Sequence, residues 1–190
     1  MRKPCRRGYS LVEVLVALLV LGVGVLGACA LQAAALRARA DARLMDTGMQ
    51  LAASLAEHMR ANPAQMRQAE PINPYLGLDF TAGSGAPPAP VPSCDGAQAC
   101  DGAQLAAYHS AQVRLAVHEG FPGGRVRVCR DAQPWEGAPQ GYRWDCTGGA
   151  DAPVVIKLGW QGRDGGRNDL DDPVSRSAPR VALAVAARER

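Results

Sequence analysis

A single carboxylate, Glu13, stands at the mouth of a long apolar run, and Cys94, Cys100, Cys129 and Cys146 are spread through the more polar remainder of the chain. An ionised carboxylate inside a bilayer costs roughly 2.5 to 3.5 kcal/mol when it lies at depth without a partner. Glu13 therefore either rests among lipid headgroups, where it costs almost nothing, or meets a cation. The cysteines outside the apolar run are even in number and follow neither C-x-x-C nor a zinc-ligand spacing. Two disulfides would use them all, and disulfides persist in oxidising compartments, which in a bacterium means the periplasm or beyond. Cys5 lies in the basic leader and Cys29 within the apolar run.

Other reactive groups do not converge. The stretch "DGGRNDLDD", Asp164 to Asp172, gathers oxygen ligands that calcium could use, but its spacing is not that of an EF-hand and it reads as a solvated hairpin loop. His58, His109 and His118 show no obvious grouping with a nucleophile and a paired acid, so neither a triad nor a general-base site is expected. Cys94, Cys100, His109 and His118 can be combined into a zinc set, a use that an oxidising compartment disfavours relative to disulfides. No enzyme activity, cofactor or metal is expected. The three Trp read as sheet-packing residues, with Trp135, in a loop, best placed for a partner contact.

The elements that position these residues begin with the apolar run itself. Val14 to Leu36 holds no charged residue and is rich in Leu, Val and Ala, enough for a helix across a hydrocarbon core that needs about 20 residues. Arg2, Lys3, Arg6 and Arg7 precede it and Arg37, Arg39 and Arg43 follow, so the positive-inside bias toward a cytoplasmic N-terminus is weak. A secretory signal cut at "ACA" (Ala28 to Ala30) and a lipobox "LGAC" ending at Cys29 both compete with a retained helix. Glu13, an acid where a signal should be purely apolar, and the unbroken continuation through "ALQAAAL" stand against them. The formal net charge of +3 on 190 residues is too mild for a nucleic-acid binder, and the basic residues are scattered outside "MRKPCRR" and "RARADAR".

The string "RRGYSLVEVLVALLVLGVGVLG", Arg6 to Gly27, closely resembles the class III signal of type IV pilins and pseudopilins. A short basic leader ends in Gly, an aromatic follows, and the acid takes the fifth position of the mature chain. Carried across, the resemblance implies that Gly8 ends the leader, that Tyr9 becomes the N-methylated first residue, and that Glu13 is the family's conserved acid. Cutting after Gly8 would leave a basic amine on Tyr9. In a filament, Glu13 of an incoming subunit would pair with that amine on a neighbour and set the axial register. The implied divisions are a leader over 1–8, a membrane and filament-packing helix over 9–36, and a head domain over 37–190.

Beyond the membrane, helical spacing continues to "NP" at Asn62 and Pro63, where the residue before proline avoids the helical region. A helix from about Ser10 to Ala61 would be about 75 Å long at about 1.5 Å per residue. Leu44, Gly48, Leu51, Leu55 and Met59 share one face, with Met45, Met49, Ala52 and Ala56 beside it, and the whole stripe reads as core. Gly22, Gly24 and Gly27 weaken the membrane half by about 1 kcal/mol each, or let helices approach closely. Pro71 to Pro92 reads as a loop without a packed core. Asp101 caps a second helix that ends near Gly120.

Four strand-like runs complete the chain: "RVRVCR" (Arg125 to Arg130), "GYRWDC" (Gly141 to Cys146), "PVVIKLGW" (Pro153 to Trp160) and "PRVALAVAA" (Pro179 to Ala187). They predict an antiparallel sheet in meander order. A hairpin of the first two would face Cys129 toward Cys146, leaving Cys94 to close a tight loop with Cys100, although sequence alone permits three connectivities. The expected fold is α+β and pilin-like, a long N-terminal helix packed on a four-stranded antiparallel sheet. The paired Cys before "AQLAAY", the "PGG" turn and the strand "VVIKLGW" are similar to the minor pilins known as type IV pilus modification proteins. His109 after "AAY", where an acid is expected, and the long Pro-rich loop depart from that pattern. The resemblance implies a subunit of a priming complex at the filament tip. Its partners would be other minor pilins, the major pilin, a tip adhesin, prepilin peptidase and the inner-membrane assembly platform. A minor pseudopilin of type II secretion and a competence pilin that takes up DNA are the alternatives.

Overall fold

The run of helix formers without an internal proline from Leu11 to Ala61 makes one helix, α1 (Leu11–Ala61), in the computed structural model, which describes residues 10–70, 72–83, 93–94, 99–137, 141–149, 151–161 and 178–185. The chain divides into two compact units, Met1–Arg43 and Leu44–Arg190. The first contains the apolar part of α1, whose large side chains from Leu11 to Leu36 are all exposed.

In the second unit the last turns of α1 bury Gly48, Ala52, Leu55, Ala56 and Met59, a stripe at helical spacing. Leu44 and Leu51 are partly buried against it. The expectation that the adjoining methionines are core is corrected: Met45 and Met49 are 41% and 47% exposed. Successive residues on a helix are rotated by about 100°. Met45 and Met49 thus share their side of α1 with the buried Ala52 and Ala56, and differ from them in lying in the first turns of the second unit, where that side is still open. Gly48 permits a close approach to the sheet, because a Cβ there would lie 2.9 Å from the Trp160 ring and 3.2 Å from Leu158.

Asn62, whose backbone leaves the helical region before Pro63, ends α1, and α2 (Pro63–Met66) starts with that proline in its first turn. The segment after α2 is not a loop devoid of core. Tyr75 and Leu78 are fully buried, Leu76 nearly so, and β1 (Asp79–Thr81) joins the sheet. Residues 84–92 of the Pro-rich stretch lie outside the described residues. α3 (Gly102–Gly120) begins at Asp101 with a full capping box: Asp101 accepts from the Gln104 backbone N–H at 2.8 Å, and Gln104 accepts from the Asp101 N–H at 3.0 Å. Ala106, Ser110, Val113 and Val117 form its buried stripe.

The four-stranded antiparallel sheet runs in the order β1, β2 (Arg125–Arg130), β5 (Val154–Gly159), β6 (Val181–Val185). Val126 pairs with Leu158, which pairs with Val181, and Val128 with Ile156, which pairs with Leu183, so alternate residues form one apolar face in the core. One expected strand is absent from it. Of "GYRWDC" only β4 (Gly141–Tyr142) is extended and paired, and it pairs with β3 (Trp135–Glu136) in a separate two-stranded hairpin. β5 takes the edge of β2 that this segment was expected to occupy, opposing Cys129 with Val155.

Candidate functional site

The N-terminal unit presents one acid on an otherwise apolar surface. Glu13 lies in the first turn of α1, where the unsatisfied N–H groups of a helix favour negative charge, and is exposed. Ser10 starts the helix by accepting from the N–H groups of Glu13 at 3.0 Å and Val14 at 3.3 Å. The helix is long and apolar enough to cross a membrane, and its most apolar window is wholly unburied. Cys29 is exposed on it and outside any disulfide. Gly8 and Tyr9 lie outside the described residues, as does the aspartate-rich loop 164–172.

Residues 3–28 match the model of the prokaryotic N-terminal methylation motif. The chain therefore carries the class III, type IV pilin-like signal, and this motif together with the apolar helix fits membrane anchoring. Proteins that carry it are in general structural components of pilus-type machinery rather than enzymes. No curated protein and no solved structure matches the chain.

In the second unit the structure joins Cys94 to Cys100, with Cα atoms 5.8 Å apart, immediately before the α3 cap, and Cys129 to Cys146, with Cα atoms 6.2 Å apart. The second bridge is not a link between facing strands of a hairpin. It ties the stretch 143–149, a strap, over the face of the sheet turned away from α1 and α3. Trp144 lies against Gly159, where a Cβ would meet its ring at 2.9 Å, and the Arg125 guanidinium stacks on the same indole at 4.6 Å. Arg127 donates to the Trp144 carbonyl at 3.3 Å, and the Gly148 N–H donates to the Arg130 carbonyl at 3.0 Å.

Under the strap lies a charged pair that sequence reasoning missed. Lys157 and Asp131 are both fully buried, and the ammonium donates to Asp131 Oδ2 at 2.5 Å and to the Asp145 carbonyl at 2.6 Å. Asp131 Oδ1 accepts from the Gln133 N–H at 3.0 Å and from the Thr147 hydroxyl at 3.0 Å. Burial pushes the Asp131 carboxyl upward, and hydrogen bonds from Lys157, Gln133 and Thr147 outweigh it, so the group is held below the usual carboxylate range. A lysine in the middle of the apolar run "VVIKLG" was the available signal, since a buried ammonium requires a partner.

The histidines also come together in part. His58 of α1 and His109 of α3 stack with ring centroids 3.8 Å apart and planes 18° from parallel. His118 is separate, 6.4 Å from the Phe80 ring, and among the described residues its buried Nδ1 has no hydrogen-bond partner. Among the described residues no group of three or more His, Cys, Asp or Glu is placed to hold a metal ion. Trp135 is in a strand rather than a loop; it is 54% exposed and meets Tyr142 edge-on. Trp160 is buried in the core.

Proposed function

We propose that this chain is a minor pilin, most like the PilV group, which enters a priming complex at the tip of a type IV pilus. In this reading it is cut after Gly8 by prepilin peptidase, N-methylated on Tyr9, held in the inner membrane by α1 with its disulfide-bonded head in the periplasm, and passed to the filament by the assembly platform. Other minor pilins, the major pilin and a tip adhesin are its partners, and twitching motility and adhesion are the outputs. The observation that carries the reading is the methylation motif over residues 3–28, in register with Glu13 and with an exposed apolar helix. A methylated amine on Tyr9 supplies the cation that Glu13 needs at low dielectric, and pairing between neighbouring subunits then fixes their stagger.

Intact-mass and N-terminal peptide analysis of protein from its native membrane tests the processing. The expected product starts at a methylated Tyr9, with Cys94, Cys100, Cys129 and Cys146 resistant to alkylation until reduced. A chain starting at Leu31, Gln32 or an acylated Cys29 overturns the reading. Glu13→Ala should insert in the membrane normally yet fail to enter filaments, and normal incorporation of that variant would remove the pairing role. A type II pseudopilin shares the signal; gene loss that abolishes protein export while sparing twitching would assign the chain there.

A further inference from the structure

The His58–His109 stack joins two elements of the head, α1 and α3. His58 lies in the last turn of α1 and is exposed, whereas His109 is half-buried on α3. The His109 Nδ1 is 3.1 Å from the phenol oxygen of Tyr75, a side chain with no exposure at all. Asn62, at the end of α1, donates to the carbonyl of Gly102, the first residue of α3, at 2.7 Å. Contacts thus run from the exposed ring of His58 through His109 to the buried Tyr75, and Asn62 separately ties the end of α1 to the start of α3.

We propose that this stack is a proton-sensitive latch, in which neutral rings hold α3 against the end of α1 and protonation parts them. Two neutral imidazoles at 3.8 Å make a favourable face-to-face contact, whereas two imidazolium ions at that separation repel. The proton also disrupts the next link. Neutral His109 can accept the Tyr75 hydroxyl at Nδ1; charged, it has a donor at both nitrogens, and the buried hydroxyl must reorient. Facing the pair are Ser54 from α1, Tyr75 from the segment after α2, and Tyr108 from α3, and Glu57 adjoins His58 along α1. Glu57 is joined to Arg60 at 2.5 Å, Ser54 is 3.5 Å from His58, and the Tyr108 ring lies 6.0 Å from His109. Burial, and then the neighbouring His58, hold His109 below the usual imidazole range. The sign follows: the unfolded chain binds the proton first, so this contribution is complete above about pH 6.5 and is lost as pH falls below it. The inference concerns the head alone and does not depend on the assembly reading.

The test uses the full-length chain in detergent micelles, with histidine rings followed by NMR from about pH 8 to 5 and α3 amide exchange compared at about pH 7.5 and 5.5 after correction for intrinsic rates. His109 should titrate below about pH 6.5, and α3 protection should drop severalfold, by up to about tenfold, on acidification. His58→Phe keeps a flat ring and cannot take a proton. In that variant the His109 midpoint should rise, and α3 protection should drop less on acidification than in the wild type, because only the Tyr75 link is then lost. Protection independent of pH in the wild type, or an equal drop in His58→Phe, overturns the latch. If His58→Phe fails to fold, the wild-type titration decides: a His109 midpoint at or above about pH 6.5 overturns it.

Discussion

Replacing Lys157 by Met removes the cation under the strap while roughly preserving volume, and the cost can be worked from two hydrogen bonds, those the ammonium donates to Asp131 Oδ2 and to the Asp145 carbonyl. Without them the Asp131 carboxylate has no exposed surface and is supported only by Gln133 and Thr147. Breaking a buried pair by removing one partner costs about 3–5 kcal/mol, and the surviving donors on Gln133 and Thr147 place the expected loss near the lower figure, about 3 kcal/mol. For a chain of this size that is a fall in Tm of roughly 6–12 °C. Thermal unfolding of full-length protein in micelles, followed by tryptophan emission, reads it out, because Trp144 and Trp160 lie on opposite sides of the sheet. Asp131→Asn combined with Lys157→Met removes both charges and should recover about 2 kcal/mol relative to the sum of the single changes. The pH dependence supplies a second arm. The folded Asp131 carboxyl titrates below its unfolded value, so its contribution is present above about pH 4 and is lost as pH falls through that region. Without Lys157 the loss should begin at higher pH. A loss below about 1 kcal/mol for Lys157→Met, or strict additivity in the double variant, would refute the reasoning.

Two further outcomes follow from local geometry. Gly48→Ala should destabilise by about 1–2 kcal/mol, even though alanine is the better helix former by about 1 kcal/mol, because the new Cβ meets the rigid, buried Trp160 ring at 2.9 Å; a denaturant midpoint equal to or above wild type would contradict it. Asp101→Ala removes half of the capping box and should cost about 1 kcal/mol, measured by urea unfolding, with Gln104→Ala costing less.

What the sequence made legible was local. The extent of α1 follows from uninterrupted helical spacing and the Asn62-Pro63 stop, the start of α3 from Asp101, and β2, β5 and β6 from their runs of valine, isoleucine and leucine. The Glu13 register within its motif is likewise a matter of near neighbours in the chain. What required the fold was pairing between distant segments. β1 is three residues long with no periodicity of its own, and it is a strand because Asp79 to Thr81 pair with Arg127 to Arg125. "GYRWDC" has strand composition, yet β5 outcompetes it for the edge of β2 by offering six paired residues. Met45 and Met49 keep helical spacing with one another, but the neighbouring face of α1 is the one Trp160 meets. His58 and His109 are far apart in sequence and became neighbours only when α3 docked.

The strap changes what kind of strand β5 is. All six of its residues are buried, although one face of the sheet already packs on the helices, because 143–149 shields the other. A surface that would ordinarily tolerate drift has become an interior, so Asp131, Thr147 and Lys157 should vary together among homologous chains or not vary at all. The β3–β4 hairpin, which stands between Asp131 and the strap without entering the sheet, is by contrast where insertions can accumulate and where diversity between relatives should concentrate.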